Sequence, residues 1–130
     1  MKIFTTLIVV FCVVSITGCK KPLLDYRKKY LGDYSFSVHE SSFAGGISYD
    51  TSYTANGTIS KGSDLQSILI TYSSGKSEEF ILFEDGSIQL MNCNCYSNTG
   101  EFESVNQMQY TLEWGHLVFY SSKSVTGTRK

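Results

Sequence analysis

From Asp33 onward the apolar residues recur at every second position, and no other feature of the chain constrains its fold as strongly. Tyr34, Phe36 and Val38 alternate with Ser35, Ser37 and His39, the pattern of a strand with one buried face. After Gly45-Gly46 the alternation resumes from Ile47 to Ile59, with Tyr49, Thr51 and Tyr53 sharing a face and a break at Asn56-Gly57. Further strands are predicted over residues 67–72, 77–84, 87–92, 101–104, 108–114, 117–121 and 124–128. Turn residues separate them: Ser73-Ser74-Gly75-Lys76, the hairpin signal Asp85-Gly86, a polar loop over residues 93–100, and Gly115-His116. Roughly seven to nine short strands at intervals of about ten residues specify an all-β domain. Short turns favour pairing of sequential neighbours, so a small antiparallel up-and-down barrel is expected, with a sandwich as the alternative.

Only one stretch has helical spacing. Leu23, Tyr26, Tyr30 and Leu31 fall between Pro22, suited to a first helical position, and Gly32, suited to a C-terminal cap. A short N-terminal helix is expected to precede the sheet.

Residues 1–18 are set apart by chemistry. Lys2 is followed by an apolar run from Ile3 to Ile16, and Ile16-Thr17-Gly18-Cys19 closes it with the pattern of a lipobox. The run suits a secretory signal of roughly 7–15 apolar residues better than a spanning helix of about 20, and Lys20-Lys21-Pro22 ends it at once. We therefore expect a lipoprotein signal peptide cleaved before Cys19, a lipidated tether over residues 19–24, and a single β domain over residues 25–130. The membrane is the first expected partner, through lipid on Cys19.

The mature chain of 112 residues, 19–130, fits one domain that can bury a core without metal or disulfide. Its ten basic and twelve acidic residues give a net charge of −2, which argues against nucleic acid as a partner. Lys20, Lys21, Arg27, Lys28 and Lys29 cluster beside the anchor. Between Lys76 and Lys123 there are seven acids and no Lys or Arg. The basic end suits anionic headgroups, at about 1 kcal/mol per close charge.

The segment Asp25-Tyr26-Arg27-Lys28-Lys29-Tyr30-Leu31-Gly32-Asp33-Tyr34-Ser35-Phe36 resembles the opening of small uncharacterised lipoproteins of Bacteroidota. Gly100-Glu101-Phe102-Glu103, Leu112-Glu113-Trp114-Gly115 and Val125-Thr126-Gly127-Thr128-Arg129-Lys130 are similar too. The resemblance implies a lipocalin-like β fold and no established activity. Members often carry a glycine-rich stretch after Trp-Gly, where this chain has His116-Leu117-Val118. Lipoproteins of that phylum sent to the outer face tend to carry acids just after the cysteine. Lys20-Lys21-Pro22 therefore implies an outer-membrane position facing the periplasm.

Cys93 and Cys95 are the most specific chemical feature after the anchor. A local disulfide is the first reading, since Asn92 and Asn94 suit a turn that would bring residues two apart close enough. An incidental reduced pair, a redox pair, and half of a tetrahedral metal site completed by His39 or His116 are the others. No nucleophile, zinc-protease, phosphate-loop or dinucleotide motif is present, so no catalytic residues, metal or cofactor are expected. Glu101 and Glu103 share a strand face, where exposed acids commonly deter edge pairing. The expected function is a non-enzymatic binding or interaction module of the cell envelope, whose partner is an envelope protein. The alternative is a carrier of a small apolar ligand inside the barrel. Tyr34, Phe36, Met108, Tyr110 and Trp114 are the candidate core or ligand-lining residues, and an open or filled interior discriminates the two readings.

Overall fold

A computed structural model describes residues 25–130; the signal segment, Cys19, the tether and the first residues of the expected helix lie outside the described residues. Eight strands close into an antiparallel barrel in which each pairs with its sequence neighbours and the last returns to the first. They are β1 (Gly32–Ala44), β2 (Ile47–Lys61), β3 (Ser67–Tyr72), β4 (Ser77–Leu82), β5 (Ser87–Leu90), β6 (Ser97–Ser104), β7 (Gln107–His116) and β8 (Phe119–Arg129). The up-and-down barrel is thus the architecture, and the sandwich is not.

Four sequence expectations change. Asn56-Gly57 does not break its strand, since β2 keeps its register with β1 through both residues. Gly115-His116 is not a turn: β7 runs through both residues, and the chain reverses at Leu117-Val118. The two last predicted strands are one, β8, because its register with β1 and β7 is unbroken from Phe119 to Thr128. The loop expected over residues 93–100 is shorter, since Ser97–Gly100 already pair with β7.

The expected helix is a five-residue 3-10 helix, Tyr26–Tyr30, and its side chains stop one end of the barrel. Arg27 is almost fully buried there and donates to both carboxylate oxygens of Asp25, at 2.8 and 3.0 Å. Its Nη1 donates to the carbonyls of Asp64 and Ser67, at 2.7 and 3.0 Å, which ties the helix to the β2–β3 connection. The Tyr26 hydroxyl donates to the carbonyl of Leu82. The Tyr30 ring stacks on Phe102, with centroids 4.1 Å apart. Alternation explains why so short a helix suffices: the run that follows it aims Tyr34, Phe36 and Val38 inward, all within 1 % of complete burial.

The interior is filled by side chains. Phe36, Ile70, Phe80, Met108, Tyr110 and Leu112 are all buried, and the Phe80 and Tyr110 rings meet at 4.8 Å. Phe36 lies where two strands carry glycine. A Cβ at Gly57 would stand 2.9 Å from its ring and one at Gly127 2.8 Å, so the absent side chains make room for the phenyl group.

The strands are unequal. β2 pairs with β3 only over Gly57–Lys61, and β6 meets β7 no further than Glu113. The upper parts of β2, β1, β8 and β7 therefore continue beyond the rim as a four-stranded flange, at the end opposite the 3-10 helix.

Candidate functional site

The rim where the flange leaves the barrel gathers the polar groups of the interior. Register aligns four rows across β2, β1, β8 and β7. Deepest is Tyr53, Val38, Val125 and Tyr110. Above it come Thr51, Glu40, Lys123 and Leu112, then Tyr49, Ser42, Ser121 and Trp114, and at the tip Ile47, Ala44, Phe119 and His116. From β4, Glu78 enters the same space. It accepts from Lys123 Nζ at 2.6 Å through Oε1 and from the Tyr72 hydroxyl at 3.0 Å through Oε2, which also accepts from Tyr110. The two hydroxyls also lie within hydrogen-bond reach of each other, and their two protons serve three contacts: one phenol donates to Glu78, the other either to Glu78 or to its neighbour's oxygen. Lys123 Nζ sits 5.2 Å from the Tyr72 ring centroid and 5.7 Å from that of Tyr110, over their electron-rich faces. Beside this cluster the Tyr53 hydroxyl donates to Glu40 Oε1 at 3.0 Å.

Burial is the first cause that raises the pKa of Tyr72, and the Glu78 carboxylate is the second. Tyr110 is raised as well, first by burial and then by its neighbours Tyr72 and Glu78. Both phenols therefore stay protonated throughout the neutral range and remain hydrogen-bond donors within the cluster. The cluster is satisfied, and among the described residues no buried side-chain polar atom lacks a partner. The ion pair and the two neutral phenols hold one another in a fixed geometry.

Two clefts open on this face. One, of about 300 Å³, lies between β2 and the β3–β4 turn and is lined by Tyr53, Ala55, Tyr72, Ser73, Glu78 and Lys123, among others. The other, of about 280 Å³, lies on the flange with Tyr49 and Trp114 on either side of Ser42 and Ser121.

Beyond the clefts the flange ends in two hairpin tips. Residues 41–49 and 114–122 contain no Asp, Glu, Lys or Arg. The tips expose Phe43, Ile47, Leu117, Val118, Phe119 and Tyr120, with Leu117 fully open and Ile47 76 % exposed. At the β1–β2 tip, Gly45 and Gly46 both have positive φ, +56° and +86°, as a two-residue hairpin turn of this hand requires.

The sequence-derived candidates separate. Tyr34, Phe36, Met108 and Tyr110 are core, at most 2 % exposed. Trp114 shares their face but is only partly buried, because it stands above the rim and packs against the core from one side. Cys93 and Cys95 are paired as a disulfide, with Cα atoms 5.2 Å apart, beyond Asn92 in the left-handed region. His39 lies outside the barrel, hydrogen-bonded to Ser52 and 3.5 Å from Asp50, while His116 is at a tip, so neither approaches the cysteines. Among the described residues no group of three metal-ligating side chains gathers. Glu101 and Glu103 share an exposed face, as expected.

Sequence reasoning missed Glu40, Glu78 and Lys123. Their signal was present: each is charged and stands two residues from a buried apolar residue, Val38, Phe80 and Val125, in the inward phase of its strand.

Compared with known proteins, the chain matches no protein-family model, no curated protein and no solved structure.

Proposed function

We propose that this protein is a lipid-anchored, non-enzymatic interaction module of the cell envelope, which docks an envelope protein through its uncharged hairpin tips. One observation carries the reading. The described chain begins at Asp25, on the end stopped by the 3-10 helix, and the exposed apolar residues of the tips lie at the other end. A lipid on Cys19, six residues before Asp25, would hold the stopped end toward the membrane and present the tips away from it. A cluster of large apolar residues with no charge among them is the composition of an interface centre, where charged residues are depleted and aromatics enriched. Lys20-Lys21-Pro22 after the cysteine favours an outer-membrane location facing the periplasm. The filled interior leaves the apolar-carrier alternative with less support, since Phe36, Phe80 and Tyr110 occupy the space such a ligand needs.

The test is photo-crosslinking in cells from a reactive residue placed at Leu117, compared with one placed at the exposed barrel-wall residue Glu103. A protein adduct formed from Leu117 and not from Glu103, and abolished by Val118→Glu, is the expected result. Equal labelling from both positions, or none from the tip, overturns the reading. Cys19→Ser should leave the domain unlipidated and soluble on fractionation. Persistence in the membrane pellet with unchanged fatty-acid labelling would contradict the anchor.

A further inference from the structure

We propose that two copies of the chain join through the free edge of β2, antiparallel and centred on Thr51. The surface is the side of β2, which meets the β1–β2 tip at its Ile47 end and does not include the β7–β8 tip, so the inference goes beyond the docking reading. Closure of the barrel removes most strand edges, and beyond Glu113 only three residues of β7 lack a second neighbour. β2, paired with β1 on one side, has no strand on its other side from Ile47 to Ala55, because its pairing with β3 begins at Gly57. Unpaired edge N–H and C=O groups are a template for another strand, and proteins usually blunt them with Lys or Pro. This edge has neither; its one charge is Asp50, whose carboxylate lies 3.5 Å from His39 of β1.

The edge is complementary to itself. With Thr51 facing Thr51 across a twofold axis, Tyr49 lies opposite Tyr53 of the second copy, Ile47 opposite its Ala55, and Asp50 opposite its Ser52. No two like charges face each other, and aromatic pairs flank the centre on both sides. The same register answers a second feature. Ile47, 76 % exposed at one end of the edge, and the cleft of about 300 Å³ beside Ala55 and Ser73 at the other lie on the same, inner face of the sheet. The twofold axis carries each Ile47 to the cleft of the other copy. Such an isologous contact, with one patch meeting itself, is the commonest form of protein association. A foreign strand would need its own match to this spacing; a second copy has it already.

The experiment uses the full chain, purified in detergent; for the cross-linking variants Cys12, Cys19, Cys93 and Cys95 are replaced by Ser, so that the introduced cysteine is the sole thiol. Native mass spectrometry is expected to show a dimer. Thr51→Cys should cross-link it on mild oxidation, whereas Ser52→Cys, which faces Asp50 of the second copy, should not. Thr51→Lys places two ammonium groups face to face and should give a monomer with an unchanged far-UV circular dichroism spectrum. Ile47→Asp should weaken the dimer without unfolding the chain, by withdrawing the side chain from the cleft. A wild-type monomer, a dimer indifferent to Thr51→Lys, or Thr51→Cys adducts only with another protein would each overturn the proposal. Thr51 lies on the β2 edge and Leu117 and Val118 on the β7–β8 tip, so the Thr51 variants and the tip cross-linking test the two readings separately.

Discussion

Replacing Gly127 by alanine sets two effects of opposite sign against each other. Glycine in a strand interior usually costs about 0.5–1 kcal/mol relative to alanine through the freedom of the unfolded chain, so the substitution alone should stabilise. Nor is there a backbone objection, since Gly127 is not among the residues of positive φ. The new Cβ, however, would stand 2.8 Å from Met108 Cγ and 2.8 Å from Phe36 Cε1. Met108 can shift, but Phe36 is completely buried and is held from its other side by Gly57, whose own Cβ position is 2.9 Å from the ring. Overpacking of this kind costs about 1–3 kcal/mol, and with Phe36 held on both sides the upper half of that range applies, which outweighs the entropic gain and leaves a net loss of about 1–2 kcal/mol. In a domain of this size that lowers Tm by about 5–10 °C. The assay is urea or thermal unfolding of the single variant and of the double variant with Phe36→Leu, where the smaller side chain relieves the clash. The two changes should couple, with Gly127→Ala costing less in the Phe36→Leu background. Gly57→Ala should cost more than Gly127→Ala, because its nearest obstacle is the Thr71 carbonyl, and backbone cannot step aside. Stabilisation by Gly127→Ala, or additivity with Phe36→Leu, would refute the reasoning.

The Arg27 guanidinium and then Lys61 hold the Asp25 carboxyl far below its ordinary value. A depressed folded-state pKa contributes stability present above the unfolded value of 3.8 and lost as pH falls below it; Asp25→Asn should thus lower Tm equally from pH 7 to about 4, the gap closing only in stronger acid. A gap that closes between pH 7 and 5 would disprove this. The Cys93→Ser, Cys95→Ser variant should lose less than about 1.5 kcal/mol, since so small a loop constrains the unfolded chain little; loss of a cooperative melt would contradict it. Trp114→Ala should cost less than the roughly 3–5 kcal/mol typical of a fully buried tryptophan, because its ring is only partly covered, and chemical unfolding measures it directly. A larger loss would place the ring in the core.

The opening of the domain shows what kind of information the sequence carried plainly. Asp25 caps the 3-10 helix, Arg27 and Tyr26 tie it down, Tyr30 stacks on Phe102, and Tyr34 and Phe36 begin the core. Each role follows from a residue type at a local spacing. The polar cluster at the rim was less legible. Glu78 and Lys123 are 45 positions apart and become neighbours only when the barrel closes, and Glu40 meets Tyr53 only through the β1–β2 register. The turn was misplaced for a related reason. Gly115 looked like a reversal, but the ladders from β1 and β8 continue past it and carry β7 to His116 before the chain can turn.

Alternation of period two and regular turn signals determined, by themselves, that the chain forms short antiparallel strands, and which side chains face inward along most of their length. Those are local properties: a strand's faces follow from pleating, and a tight turn follows from a few φ values. Closure, the unequal strand lengths, the flange and its free edge were decided by tertiary structure alone. They depend on where each strand loses its neighbour, a matter of register between residues far apart. The same pattern of alternation continues along β2 whether or not β3 still lies beside it.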